Sequence, residues 1–348
     1  MVPAGLMCSG AGMLAPAQQC ARVAGRRRVG VARSRRYPAA AWGVPAPVLM
    51  AARMELAVRA VVSSDEALAT SSASSSSPTS SSSFQAATAN VRLPQDVKTL
   101  EKAFAAAVAD PHGAQMESPY ESLEDLPHHM LLTGLAAAAV LANAVEGCAS
   151  CTDLASGVVA AAVGFLAADL GSGVYHWSVD NYGSASTPVL GHQIAAFQGH
   201  HAAPFTIVRR GAFNNAAPGA VAMLPFLLAG LALPGCTGAL QMGWSMFVGS
   251  IFAAQPLHRW AHMPPSKVPP AVRALQDAGL VIPVSEHMCH HNGTFEGRYC
   301  IVAGLWNPLL DGSGFFRAAE RVVEKRTGVL PKWRRDAEAA EAAEAAER

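Results

Sequence analysis

The stretch MLLTGLAAAAVLANAVEGC, residues 130–148, decides how the rest of the chain is read. It is apolar except for Glu146 near its end, and it approaches the roughly 20 residues needed to cross a bilayer's hydrocarbon core. Three further runs have the same character, 154–173, 216–235 and 238–257. Their one charge is Asp169, near the end of the second run, and the third carries Pro218, Pro225 and Pro234. Proline is better tolerated in membrane helices, where neighbouring helices and waters re-satisfy the backbone. A soluble all-α core is the competing reading. Long Ala-rich runs paired around the short connections 149–152 and 236–237 favour an all-α membrane protein with about four transmembrane helices.

Composition agrees. Hydrophobic residues make up 51% of 348 and mean hydropathy is +0.22 even with long polar stretches included, so the middle of the chain is far more apolar than a soluble domain. Net charge is +1, which offers no global field for nucleic acid. The two short connections contain no Lys or Arg, whereas 174–215 and everything after 257 carry Arg209, Arg210, Arg259, Lys267, Arg273 and Arg298. The positive-inside rule places those segments, and the N-terminus, on the cytoplasm-like face, which is the stroma in a chloroplast.

Residues 1–54 hold eight Arg and no Lys, Asp or Glu. That is the composition of an organellar transit peptide, a basic nucleic-acid-binding tail being the competing reading. "SSASSSSPTSSSSF" (71–84) cannot bury enough apolar area to fold. The expected organisation is a chloroplast transit peptide over 1–60, a Ser-rich linker over 61–94, a membrane domain over 95–335 and an Ala/Glu-rich tail over 336–348. Cys148 and Cys151 form a CxxC without the βαβ pattern of a redox motif, and small residues in a tight hairpin explain it as well.

Nine of the twelve His lie between 176 and 291, all on the stromal side of this topology. His258 and His262 are spaced i, i+4, and His287, His290 and His291 are spaced i, i+3, i+4, so each set shares a helix face. Adjacent His200 and His201 diverge by about 100° on a helix, which suits two metal ions, or one ion and its surroundings. With His176 they make eight candidate ligands, while His192 stands alone and reads as structural. Imidazole suits Zn, Cu, Fe or Ni. A single zinc takes about four ligands and the HExxH pattern is absent, so two irons sharing eight nitrogens fit economically; pH sensing is the bland alternative. Asp180, four residues after His176, shares its helix face and either hydrogen-bonds a ligand ring or caps the turn. Asn214 and Asn215 read as oxygen donors, water holders or loop residues. Arg209 and Arg210 read as an anionic headgroup site or as positive-inside anchors. The segment 301–316 is too short to span and reads as lying in the interface or capping the site.

The motifs "SGVYHWSVDNYGS", "TPVLGHQIAAFQGHHAAPFTIVRRGAFNN", "HRWAH", "VSEHMCHH" and "WNPLLD" resemble the lipid desaturases that include the plant fatty acid desaturase 4 type and animal plasmanylethanolamine desaturase. The resemblance runs over roughly residues 95–335 and matches the family's histidines at His176, His200, His201, His258, His262, His287, His290 and His291. It implies a di-iron centre, O2 as co-substrate and an external electron donor. "FQGHH" and the leader are similar to the plant branch, implying a multi-pass protein of the thylakoid or inner envelope. The implied reaction is a trans-Δ3 double bond in the palmitate of chloroplast phosphatidylglycerol, with ferredoxin as donor. A plasmanyl ether-lipid desaturase, a di-iron lipid hydroxylase and a metal transporter remain as rivals.

Overall fold

A computed structural model describes residues 97–109, 123–291 and 295–346; the expected leader and Ser-rich linker lie outside them. Among the described residues all regular structure is helical, in twelve elements. They are α1 (Val97–Ala109), α2 (Pro127–Ala149), α3 (Leu154–Asn181), α4 (Gly191–Ala202), α5 (Thr206–Arg209) and α6 (Ala212–Ala232). After these come α7 (Gly238–Ala261), α8 (Pro270–Asp277), α9 (Val284–His291), α10 (Asn307–Ser313), α11 (Phe315–Thr327) and α12 (Lys332–Ala346).

The four apolar runs become α2, α3, α6 and α7. Pro127 opens α2 at a position where its missing N–H costs nothing. Asp153 caps α3, accepting from the Ala155 and Ser156 amides at 3.1 Å each. α7 is the central helix, against which α2, α3 and α6 all pack, while α2 and α6 also pack on each other. Glycine sets the closest approach. Gly164 of α3 faces Gly243 of α7 so tightly that a Cβ would strike the Gly243 carbonyl, and a Cβ on Gly147 would come within 2.9 Å of the Met242 amide.

Three helices, α2, α3 and α6, are long and apolar enough to cross a membrane. The fourth, α7, has 24 residues but falls below that apolarity. Its position explains why: shielded by its three neighbours, it buries Gln241, Ser245 and Ser250, which lower its hydropathy without meeting lipid. Ser245 Oγ donates to Val140 O at 3.0 Å.

The region after the second run is less loop-like than its sequence indicates. α3 continues for 28 residues to Asn181, so His176 and Asp180 stand on the same helix as the apolar run. α4 and α5 fill much of the remainder. Both short connections lie together at the opposite end of the bundle, where the Gly238 amide donates to Ser150 Oγ at 2.8 Å. The C-terminal tail forms α12, exposed along 335–346. Its Trp333 and the Trp177 of α3 both donate to the buried carboxylate of Glu320 on α11, at 3.3 and 3.4 Å.

Candidate metal centre

The ends of α3 and α7, with α4 and α9, converge where the eight sequence-predicted histidines meet. All eight side chains are buried, as is Asp180. Their nitrogens and the carboxylate fall into two groups whose ligand atoms lie within 4.8 Å of one another. The first holds His200, His258, His262, His287 and His291; the second holds His176, Asp180, His201 and His290.

Every imidazole turns Nε2 inward. In the first group Nε2 of His262 lies 2.9 Å from His200, 3.2 Å from His258 and 2.7 Å from His287, and His291 lies 3.0 Å from His287. In the second, His290 and His201 approach to 3.1 Å. Asp180 Oδ2 stands 3.1, 3.4 and 3.5 Å from the Nε2 atoms of His176, His201 and His290. Two of these rings point Nδ1 at a backbone carbonyl. His176 Nδ1 donates to Tyr299 O at 3.0 Å and His290 Nδ1 to Gly297 O at 2.7 Å. Their Nε2 atoms are thereby turned inward, that of His290 toward His201 and that of His176 toward Asp180, an arrangement that a cation relieves.

Burial, then the charge of the neighbouring imidazoles, pushes His262 down to about 3. His201 is pushed down to about 3 by burial, against the pull of Asp180. The same two causes hold His200, His287 and His291 well below their ordinary range. These rings are therefore neutral at physiological pH, the form that binds a metal. Several groups at the site also lack a protein partner: Nδ1 of His262, His287 and His291, and Oδ1 of Asp180. Eight imidazole nitrogens and one carboxylate exceed one ion's capacity and suit first-row metals such as zinc, copper, iron or nickel.

α4 places His200 in the first group and His201 in the second. Asp180 is more than the outer partner its spacing admitted, because it faces the inward Nε2 of His176 and not the ring's far side. The structure does not bring Asn214 to the cluster. Its Nδ2 donates to Glu124 O at 3.0 Å and its Oδ1 accepts from Arg210 at 3.0 Å, so its amide ties the segment before α2 to the start of α6. Asn215 donates to Gln255 O at 3.2 Å, one turn before His258. Arg209 and Arg210 are half-buried beside α5, and the Arg259 guanidinium braces that segment by donating to Val208 O and Arg210 O. His192 is exposed on α4, outside both groups.

Residues that sequence reasoning passed over surround the rings. Phe295 stacks on His201 with centroids 4.2 Å apart, and Phe197 lies 5.3 Å from His176. Gln255 Oε1 stands 3.4 Å from His258 Nδ1. Arg298 fixes the 295–299 segment through Glu286 (2.6 Å) and Asp311 (3.0 Å), which holds the Gly297 carbonyl in place for His290. The carbonyls of Gly297 and Tyr299 leave no trace in side-chain patterns, so no motif could have signalled them.

Comparison with known proteins places this geometry. A family model described as the lipid desaturase domain matches residues 165–334. Fatty acid desaturase 4-like 1, chloroplastic, of Arabidopsis thaliana is 44% identical over 168 residues, 48% of this chain and 57% of that protein. Fatty acid desaturase 4, chloroplastic, of the same plant is 45% identical over 169 residues, 49% of this chain and 52% of that protein. Plasmanylethanolamine desaturase 1 of Mus musculus is 33% identical over 187 residues, 51% of this chain and 67% of that protein. The chain thus spans little more than half the length of the two plant relatives. No solved structure matches.

Proposed function

The chain belongs to the lipid desaturase family, and from that premise we propose that it is a multi-pass chloroplast membrane enzyme that desaturates an acyl chain of an intact lipid. One observation carries the reading: eight inward Nε2 atoms and Asp180 converge in two adjoining buried groups. Two iron ions held there would supply, with O2 and external electrons, hydrogen removal from an unactivated methylene, which side chains alone cannot perform.

The chain's own residues prepare that chemistry. The Tyr299 and Gly297 carbonyls fix His176 and His290 in the Nδ1–H form, so each ring presents its Nε2 lone pair. Asp180 adds the one negative charge among nine donors, which favours a more highly charged ion in its group than five neutral rings do. Phe295 and Phe197 cover the rings and keep water from them. The closely packed α3–α7 contact at Gly164 leaves no room for a lipid chain, so the acyl chain approaches elsewhere along the bundle.

The finer reading is a trans-Δ3 double bond in the palmitoyl chain of chloroplast phosphatidylglycerol, with ferredoxin as the electron donor. The plant-type "FQGHH" and the names of the plastid relatives support it. Arg209 and Arg210 are our choice for the anionic headgroup. The mouse relative supports a second reading, an ether-lipid substrate. Lipid profiling of cells lacking the protein decides. Phosphatidylglycerol regaining two hydrogens in its palmitoyl chain upholds the first reading. A change confined to plasmenyl lipids upholds the second, and a lost hydroxylated species points to oxygen insertion. Iron quantified on the purified protein tests the centre itself.

A further inference from the structure

Residues 299–306 run down one side of α3 in a regular pairing. At the top, His176 Nδ1 donates to Tyr299 O. One turn lower, the Ile301 amide donates to Ser172 Oγ at 3.1 Å. Below that, the amides of Ala303 and Gly304 both donate to Asp169 Oδ1, at 2.8 and 3.0 Å, and the Trp306 amide to Oδ2 at 3.3 Å. Lowest, the Trp306 indole donates to Leu166 O at 2.8 Å. From residue 176 to residue 166 the descent is about 15 Å along the helix axis.

Twenty residues counted from the start of α3 at Leu154 end at Gly173, so Ser172, Asp169 and Leu166 lie within the hydrocarbon-crossing part. We propose that residues 301–309 form a re-entrant segment submerged in the bilayer, with lipid hydrocarbon as the partner of its outer face. Three features support this.

The first is hydrogen bonding. Non-helical backbone at membrane depth must find its partners within the protein, and the amides of Ile301, Ala303, Gly304 and Trp306 do. Besides the bonds to α3, the Cys300 amide donates to Asn307 Oδ1 at 2.9 Å, Asn307 Nδ2 donates to Cys300 O at 3.2 Å, and Val302 O accepts from the Ile282 amide at 2.9 Å. Asp169 is fully buried, and its charge is met by three N–H groups of this segment.

The second feature is the inner face, where Ile301 and Val302 pack on Ala254, Leu257 and Ala261 of α7. The third is the outer face. Leu305 and Leu309 are 49% and 59% exposed, and no charge occurs between Ile301 and Leu310. On α3, Val159, Val163 and Leu166 form an exposed apolar stripe at helical spacing, and the Trp306 indole is anchored at its end. Water would leave these leucines as an uncovered apolar patch, whereas lipid covers them.

The test needs neither metal nor turnover, so its outcome is separate from that of the desaturase reading. Spin labels are placed at Leu305→Cys, Leu309→Cys and, on exposed α12, Glu338→Cys. The full-length protein is reconstituted in phosphatidylcholine–phosphatidylglycerol vesicles, and the signal of the identically labelled unsubstituted protein is subtracted. Labels at 305 and 309 should relax several-fold faster with oxygen than with a water-soluble nickel chelate, and the label at 338 should show the reverse. Nickel access at 305 and 309 equal to that at 338 overturns the proposal. Asp169→Ala should raise nickel access at 305 by releasing the segment; should that variant not fold, the two leucine positions still decide.

Discussion

The two ends of the helix bundle handle buried polar atoms in opposite ways. At the hairpin end Asn143 donates to Ala139 O and Leu227 O at 2.8 and 2.9 Å, and Gln241 donates to Glu146 Oε2 and Gly230 O at 3.3 and 3.4 Å. Each amide nitrogen there ends on a protein acceptor. What stays unpartnered is the oxygen of each amide, the less costly kind of atom to leave so. At the histidine end lone pairs face lone pairs, and the cluster is not closed by protein atoms alone. The contrast separates polar residues that hold helices together from those that wait for a ligand. Both kinds are equally buried, so burial by itself would not tell them apart.

Substitutions at the two ends can break this distinction. The largest effect is expected at His262→Ala, whose Nε2 touches three other rings. Product should fall by at least about 100-fold, beyond the roughly 10–100-fold typical of residues that only orient a ligand. Bound iron, measured on the purified protein, should fall with it. Wild-type iron content in this variant would sink the assignment of the first group. Asp180→Asn keeps the shape and removes the charge. It should weaken metal binding in the second group by about 10–100-fold and lower iron content by about half, leaving the first group loaded. Uniform loss from both groups would show that they do not load separately.

Away from the histidines the expected effect falls on stability and not on iron. Gly164→Val forces a side chain into the Gly243 backbone and should cost about 2–3 kcal/mol, read as a lower midpoint of thermal unfolding in detergent. Iron per folded molecule should stay unchanged. Ser150→Ala removes the acceptor for the Gly238 amide and should cost about 1 kcal/mol by the same measurement. Last, His192→Ala should leave iron content and product at wild-type levels, since this exposed ring lies outside both groups. Loss of activity there would mean that the histidine sorting is wrong.

Much of this was legible in the sequence, for reasons that differ by region. The apolar runs marked four bundle helices because lipid-facing and packed positions are both apolar. α7 reads as the least apolar of the four, and only its central position shows why its Gln and Ser are tolerated. The histidine spacings announced shared faces because i, i+3 and i, i+4 positions are neighbours on any helix. The apolar run ends at residue 173 while α3 continues to Asn181, because "YHWSVDN" is polar where the helix turns its residues toward a site. Asn214 looked like a ligand by type, yet its use depends on residues 124 and 125, some 90 positions away. Asp169 showed only as a stray charge near the end of a span, because its three partners lie more than 130 residues on.

The histidine doublet on α4 has a mechanical consequence. Two adjacent residues of one helix feed the two groups, so their α-carbons stay about 3.8 Å apart whatever the surrounding helices do. Tilting or breathing of the long helices, as bilayer thickness varies, can shift the other ligands against each other. It cannot stretch the link between His200 and His201. That single peptide ties the two groups to each other through the backbone of one helix.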